Sequence, residues 1–195
     1  LLERSLDTTD EEARELCANL REEVDRIERV VSGLLELGRP RELHPEPTPL
    51  GEIVFHAADF VEAQAREREI SIRRRPIEPD PEALCDPELV YQVALNLLVN
   101  AVQILPRGGS IEVALVPPRD GYAGFEIRDD GPGMTPEVQA RIFEPFFTRR
   151  EGGSGLGLTF VQRVVQEHRG RISVASAPGQ GAVFHVELPR PEITE

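Results

Sequence analysis

The chain has no tryptophan and only two cysteines in its 195 residues, and aromatic residues make up 5%. Positive charge is scarce: 22 Lys and Arg face 35 Asp and Glu, a net charge of −13. Phosphate backbones are held by Lys/Arg-rich surfaces, so no nucleic-acid partner is expected. No apolar run approaches the roughly 18 residues needed to cross a bilayer, so no membrane span is expected in this segment. No secretory signal is expected in this segment either. Cys17 and Cys85 stand far apart, without metal-ligand spacing. They read as buried, reduced thiols of a cytoplasmic protein. The chain begins at Leu1 and is read as a fragment, with any sensor or membrane region expected upstream.

The acid excess concentrates in residues 1–36, with eleven Asp and Glu against five Arg, and reads as a solvated helical face. Asp7-Thr8-Thr9-Asp10 is a turn cluster in which Thr9 or Asp10 caps a helix expected over 11–37. Cys17, Leu20, Val24, Ile27, Val31 and Leu34 repeat at heptad spacing, a seam that needs a partner helix or a second chain. Gly38 and Pro40 end that helix. Pro45, Pro47 and Pro49 make 41–49 a stiff linker, dividing a helical segment 1–40 from a domain over 50–189, with a tail at 190–195.

Within the larger domain the pattern alternates. Helices are expected over 51–69, 87–105 (capped by Asp86), 135–143 and 155–168. Strands are expected over 70–74, 110–116, 122–128, 171–176 and 182–188, with a loop over 144–154. Adjacent strands join by short turns, which favours an α+β two-layer sandwich with a mainly antiparallel sheet over a doubly wound fold.

Three motifs carry the chemistry. Asn96 and Asn100, four apart, share one face of the helix over 87–105. They form either a polar stripe facing water or a pair in which an amide oxygen meets Mg²⁺, which takes few protein ligands when phosphates and waters supply the rest. Asp129-Asp130-Gly131-Pro132-Gly133 follows a strand. It is either an ordinary acidic turn or a site where Asp129 accepts from a base amino group and the glycines let the ring approach. Asp130 would then face solvent. Gly153-Ser154-Gly155-Leu156-Gly157-Leu158 opens a helix, where free N–H groups and the helix dipole favour phosphate. No GxxxxGK[ST] sequence is present, which excludes a Walker-type loop. Phe143, Phe146 and Phe147 either pack locally or anchor a lid over a nucleotide. Arg149 and Arg150 either are solvated or reach a terminal phosphate.

In this order the motifs resemble the catalytic and ATP-binding domain of sensor histidine kinases of two-component systems. The N box lies at Asn96–Ala101, the G1 box at Asp129–Gly133, the F box at Phe143–Phe147 and the G2 box at Gly153–Leu158. Ser176–Phe184 resembles the family's last hairpin. The resemblance implies a Bergerat-type sandwich that binds ATP and Mg²⁺. It implies that Asn100 binds Mg²⁺, that Asn96 lies near the phosphates and that Asp129 reads adenine, with 144–154 as the ATP lid. Asn96 and Arg149 are the implied catalytic candidates. Gln103, Gly131, Gly133, Met134, Phe147, Thr148, Gly153, Ser154, Gly155, Leu156, Gly157 and Leu158 complete the implied nucleotide contacts. Gln103 stands where many members carry a basic residue, and Ala182 stands where a Thr is usual. Residues 23–27 and 34–40 resemble the second helix of the dimerization and phosphotransfer domain, implying a homodimer and a response-regulator receiver domain as partner.

None of His44, His56, His168 and His185 has the context of the family's phosphoacceptor, which is therefore expected upstream. Two other readings stay open. One is an ATPase of the same superfamily, whose members carry a glutamate where this chain has Asn96. The other is a non-catalytic nucleotide-binding or dimerization module.

Overall fold

The computed structural model describes Val24 and residues 42–149 and 153–191. The helix expected over 11–37, with its cap and seam, lies outside the described residues except for Val24, which is helical and exposed. Cys17, Arg150 and the end of the tail lie outside them too. Arg41–Glu144 and Gly157–Glu195 form one compact unit. The segment Pro145–Leu156 falls in a second unit and is described by itself.

In chain order the elements are β1 (Glu46–Pro49), α1 (Leu50–Glu67), β2 (Ser71–Arg75), β3 (Glu82–Cys85), α2 (Pro87–Ile104), β4 (Ser110–Arg119), β5 (Tyr122–Asp129), α3 (Pro136–Gln139), α4 (Gly157–Glu167), β6 (Arg171–Ser176) and β7 (Ala182–Pro189). The main sheet has the order β2-β4-β5-β7-β6. Its β2–β4 pair is parallel and the other pairs are antiparallel.

The strands alternate as a half-buried sheet should. Ile111, Val113, Leu115, Ala123, Phe125, Ile127, Phe184, Val186 and Leu188 are buried. The intervening Glu112, Glu126, Arg128, His185 and Glu187 lie on the opposite face, none of them fully buried. Against the buried face lie α1, α2 and α4, with α2 in contact with both of the others. Their apolar stripes include Val54 and Val61 of α1, Val90, Leu97 and Leu98 of α2, and Val161 and Val165 of α4. Each such side chain contributes about 1.5–3 kcal/mol when fully buried. This is the expected two-layer sandwich.

Local differences from the sequence reading are few, and most have a physical cause. The proline-rich stretch is extended, but Glu46–Pro49 is a strand paired antiparallel to β3. A two-stranded edge tolerates Pro47 and Pro49, because a missing N–H costs nothing on the unpaired side. The helix expected over 135–143 stops at Gln139, and the chain goes on in i→i+3 turns (Arg141 N–H to Val138 O, Glu144 N–H to Arg141 O). Helix α4 starts at Gly157 and not at 155, because Gly155 has φ +67°, outside the helical region. The β4–β5 hairpin runs longer than expected, to Arg119.

The start of α2 is tightly determined. Asp86 Oδ1 accepts from Leu89 N–H at 3.2 Å, and Pro87 fills the first helical position. Asp86 Oδ2 accepts from His44 N–H at 3.3 Å. His168, 5% exposed just past α4, accepts the Asp86 N–H on Nε2 at 3.0 Å and meets Val164 O through Nδ1 at 2.7 Å. A carbonyl only accepts and an amide N–H only donates, so the ring proton sits on Nδ1. His168 thus joins the end of α4 to the cap of α2. Cys85 is buried and free, and burial pushes its thiol up to about 11. Among the described residues no helix is long and apolar enough to cross a membrane.

Candidate functional site

Helix α2 carries the two asparagines in its second half, both partly buried. Asn96 Nδ2 donates to Gln92 O at 2.9 Å, one turn back. This fixes the amide, with Oδ1 toward the start of α4. A Cβ at Gly157 would stand 3.0 Å from Asn96 Oδ1 and 4.0 Å from Asn100 Nδ2. The first residue of α4 therefore lies directly on both amides, and glycine is the residue that fits there without displacing Asn96. Gln103 is half-buried further along α2, and Leu158 is half-buried in the first turn of α4.

One turn beyond Asn100 the same helix meets the acidic turn. A Cβ on Gly131 would come within 3.5 Å of both Ile104 and Leu105. Ile104 is 44% exposed, an apolar surface beside that turn.

Asp129 is the last residue of β5 and is 6% exposed. Its Oδ1 accepts from Gly131 N–H at 2.9 Å. Burial pushes its carboxyl above the usual aspartate range, the backbone N–H groups of Gly131 and Ala182 oppose that, and the neighbouring Asp130 charge adds to the rise. A buried acceptor with few partners of its own suits a ligand that brings a donor.

The turn after Asp129 is pressed against the β6–β7 hairpin. Gly133 has φ +67°, and a Cβ there would collide with the Ala177 carbonyl. Gly179 N–H donates to Pro132 O at 2.7 Å. Ser176 Oγ accepts from Met134 N–H at 2.9 Å and donates to Gly181 O at 2.6 Å. Gln139 Nε2 donates to Ser176 O at 2.9 Å and to Met134 O at 3.3 Å. Asp130 is exposed, as expected, and its Oδ1 also accepts from Ser110 N–H at 2.8 Å, which ties the turn to the start of β4.

Pro145–Leu156 has its own internal order. Phe146 N–H donates to Gly155 O at 3.1 Å, and a Cβ on Gly155 would meet the Phe146 backbone at 2.5–2.8 Å. The two residues pinch the loop closed, with Phe146 in the left-handed region at φ +63°. Phe147, Thr148, Arg149, Gly153 and Ser154 lie between them. Phe146 is 52% exposed, whereas Phe147 is half-buried and Arg149 exposed. Ser154 Oγ accepts from Leu156 N–H at 3.4 Å, and Leu156 is buried.

The larger unit thus gathers Asn96, Asn100, Gln103, Asp129, Gly131, Gly133, Met134, Gly157 and Leu158 around α2, the end of β5 and the start of α4. Phe147 to Arg149 and Gly153 to Leu156 are placed only within their own segment. Sequence reasoning missed Ser176, Gln139 and Ile104. Ser176 and Gln139 reach the turn through strand pairing and a short helix, contacts that leave no spacing signal in the sequence. Among the described residues no cluster of three or more His, Cys, Asp or Glu side chains is arranged to hold a metal ion.

The family model described as histidine kinase-, DNA gyrase B-, and HSP90-like ATPase matches residues 85–192. Sensor histidine kinase ZraS of Klebsiella oxytoca is 42% identical over 184 residues, covering 92% of this chain and 39% of the relative. The chain spans about two fifths of the length of that relative. Among solved structures, mycobacterial sensor histidine kinase MprB is 32% identical with a TM-score of 0.67, covering 76% of this chain and 99% of that one. Full-length ShkA in complex with AMPPNP is 32% identical with a TM-score of 0.77, covering 90% of this chain and 38% of that one.

Proposed function

The chain belongs to the histidine kinase-, DNA gyrase B-, and HSP90-like ATPase family, and from that premise we propose that it is the ATP-binding catalytic part of a sensor histidine kinase. It transfers the γ-phosphate of ATP to a histidine outside this chain, for relay to a response-regulator aspartate. The observation that carries this reading is Asn96. It stands one helical turn before Asn100, a neutral amide whose Nδ2 is already given to Gln92 O. An amide is a poor general base. A site built to split ATP with water needs a base there, whereas phosphoryl transfer to an imidazole needs positioning and charge neutralisation. Imidazole is partly neutral near pH 7 and needs little activation.

The remaining roles follow from the donor set. Asp129, a buried acceptor beside a glycine turn, takes the adenine amino group. Ile104 offers an apolar surface to the ring. The start of α4 and the glycines from Gly153 to Gly157 favour the phosphates. Mg²⁺ would neutralise phosphate charge, and the Asn100 amide oxygen would hold it together with the phosphates. One protein oxygen suits Mg²⁺, which retains waters and substrate ligands. Asn96 lies beside the phosphates, and Arg149 offers a guanidinium to the terminal one. His168 is committed to Asp86 and Val164, which removes it as a phosphoacceptor. Residues 1–40, with their heptad seam, would pair with a second copy of the chain, and a response-regulator receiver domain in the cytoplasm is the expected partner.

Incubation of the chain with γ-labelled ATP and Mg²⁺ tests the reading. Nucleotide binds, and no acid-labile label accumulates on residues 1–195. Stable label on this chain, or rapid steady hydrolysis abolished by altering Asn96, would overturn it in favour of self-phosphorylation or an ATPase.

A further inference from the structure

The turn that carries the proposed base contact is held by side chains that lie outside it in the sequence. Between Asp129 and Met134 the chain has three glycines or prolines, so the turn has few side chains with which to fix its own shape. Beside the Asp129 and Asp130 carboxylates, which accept from Gly131 and Ser110, two polar side chains from elsewhere brace it. Ser176, the last residue of β6, uses its single hydroxyl twice: it accepts from Met134 N–H at 2.9 Å and donates to Gly181 O at 2.6 Å. Gln139, the last residue of α3, spreads one amide nitrogen over Met134 O at 3.3 Å and Ser176 O at 2.9 Å. Gly181 in turn lies so close to the Asp129 carbonyl that a Cβ there would collide with it. A closed circuit runs from Met134 through Ser176 to Gly181 and back to Asp129, with Gln139 bracing Met134 and Ser176 from the α3 side.

We infer that Ser176 and Gln139 are positioning residues that set base selectivity, by holding the Asp129–Met134 turn at one distance from the β6–β7 hairpin. This inference rests on the proposed function, since it assumes that Asp129 reads adenine. Selectivity depends on rigidity for a definite reason. Adenine offers an amino donor to the Asp129 carboxylate, whereas guanine offers a carbonyl oxygen at the corresponding ring position, which the carboxylate repels. A fixed carboxylate maintains that repulsion, and a turn free to shift relieves it. The two side chains also connect the base turn to α3, the element that leads into the segment 144–154.

The test is calorimetric titration of the whole chain with MgATP and with MgGTP, for the unaltered chain and for Ser176→Ala, Ser176→Thr and Gln139→Glu. Gln139→Glu keeps the side-chain size and removes the donor; Ser176→Thr keeps the hydroxyl. The unaltered chain prefers ATP. Ser176→Ala and Gln139→Glu lower the ATP-over-GTP ratio at least about fivefold, the loss of roughly one hydrogen bond's worth of restraint, and Ser176→Thr retains the ratio. A merely structural role would lower both affinities together and leave the ratio unchanged, and that result overturns the inference alone. Failure of the unaltered chain to bind ATP overturns the proposed function and this inference with it.

Discussion

Replacing Asp129 by Asn separates what the site does from what the fold needs. In the folded chain the carboxyl is 6% exposed and its pKa is raised, chiefly by burial. The direction of that shift means that the fold holds the ionised group less well than water does, despite the N–H groups of Gly131 and Ala182. The neutral isostere removes the desolvation cost and its amide oxygen still accepts from Gly131, while the Ala182 N–H loses a charged acceptor. The two effects oppose each other, so stability at pH 7 changes by less than about 1 kcal/mol. Nucleotide binding behaves differently. A hydrogen bond to a charged acceptor contributes about 1.5–3 kcal/mol, and Asn can present an NH₂ donor to the donor on adenine. ATP affinity therefore falls about ten- to a hundredfold. Calorimetric titration with MgATP at pH 7.5 and a thermal melt of the same samples measure both. An affinity within about twofold of the unaltered chain would refute the adenine assignment. A markedly lower melting temperature with unchanged affinity would make Asp129 a structural acid.

Three further predictions concern acid titration, the metal and the α2 cap. The raised carboxyl of Asp129 protonates, as pH falls, before an ordinary aspartate near 3.9 would. ATP affinity therefore declines on the acid side starting above that value. The native state takes up its proton first, so the desolvation cost of Asp129 relative to Asn fades over the same window; parallel pH profiles for the two chains would contradict this. Asn100→Ala lowers affinity for MgATP but leaves affinity for metal-free adenosine within about twofold, and an equal loss for both would sink its metal role. His168→Ala strips the Asp86 N–H of its buried acceptor and destabilises the fold by about 1–3 kcal/mol in denaturant titration, without abolishing nucleotide binding once folded. No loss of stability would show that the link to the α2 cap is dispensable.

Much of this arrangement is legible in the chain because its cues are local. The cap Asp86-Pro87, the strand alternation from Ser110 to Asp129 and the glycine punctuation each need only neighbouring residues. The order of the motifs then points to the family, and the placement of Gly157 over Asn96 and Asn100 gives that order a geometric basis. Contacts made across the sequence were not legible. The pairing of Glu46–Pro49 with Glu82–Cys85 joins segments about 35 residues apart, and its prolines read as a linker. His168 and Asp86 are 82 positions apart. Ser176 reaches Met134 only because β7 lies between β5 and β6 in the sheet. The early end of α3 reflects a choice between α and 3₁₀ turns that differ too little in propensity to be read from residues 135–143.

As proposed, this chain is the donor half of a phosphotransfer whose acceptor histidine lies outside residues 1–195. Incubating the full-length protein with γ-labelled ATP and Mg²⁺, then mapping the labelled peptide, tests it most directly. Acid-labile, base-stable label is expected on a histidine outside residues 1–195, and it is lost on Asn100→Ala. Label on a residue within 1–195, or phosphate release with no labelled protein, would contradict it.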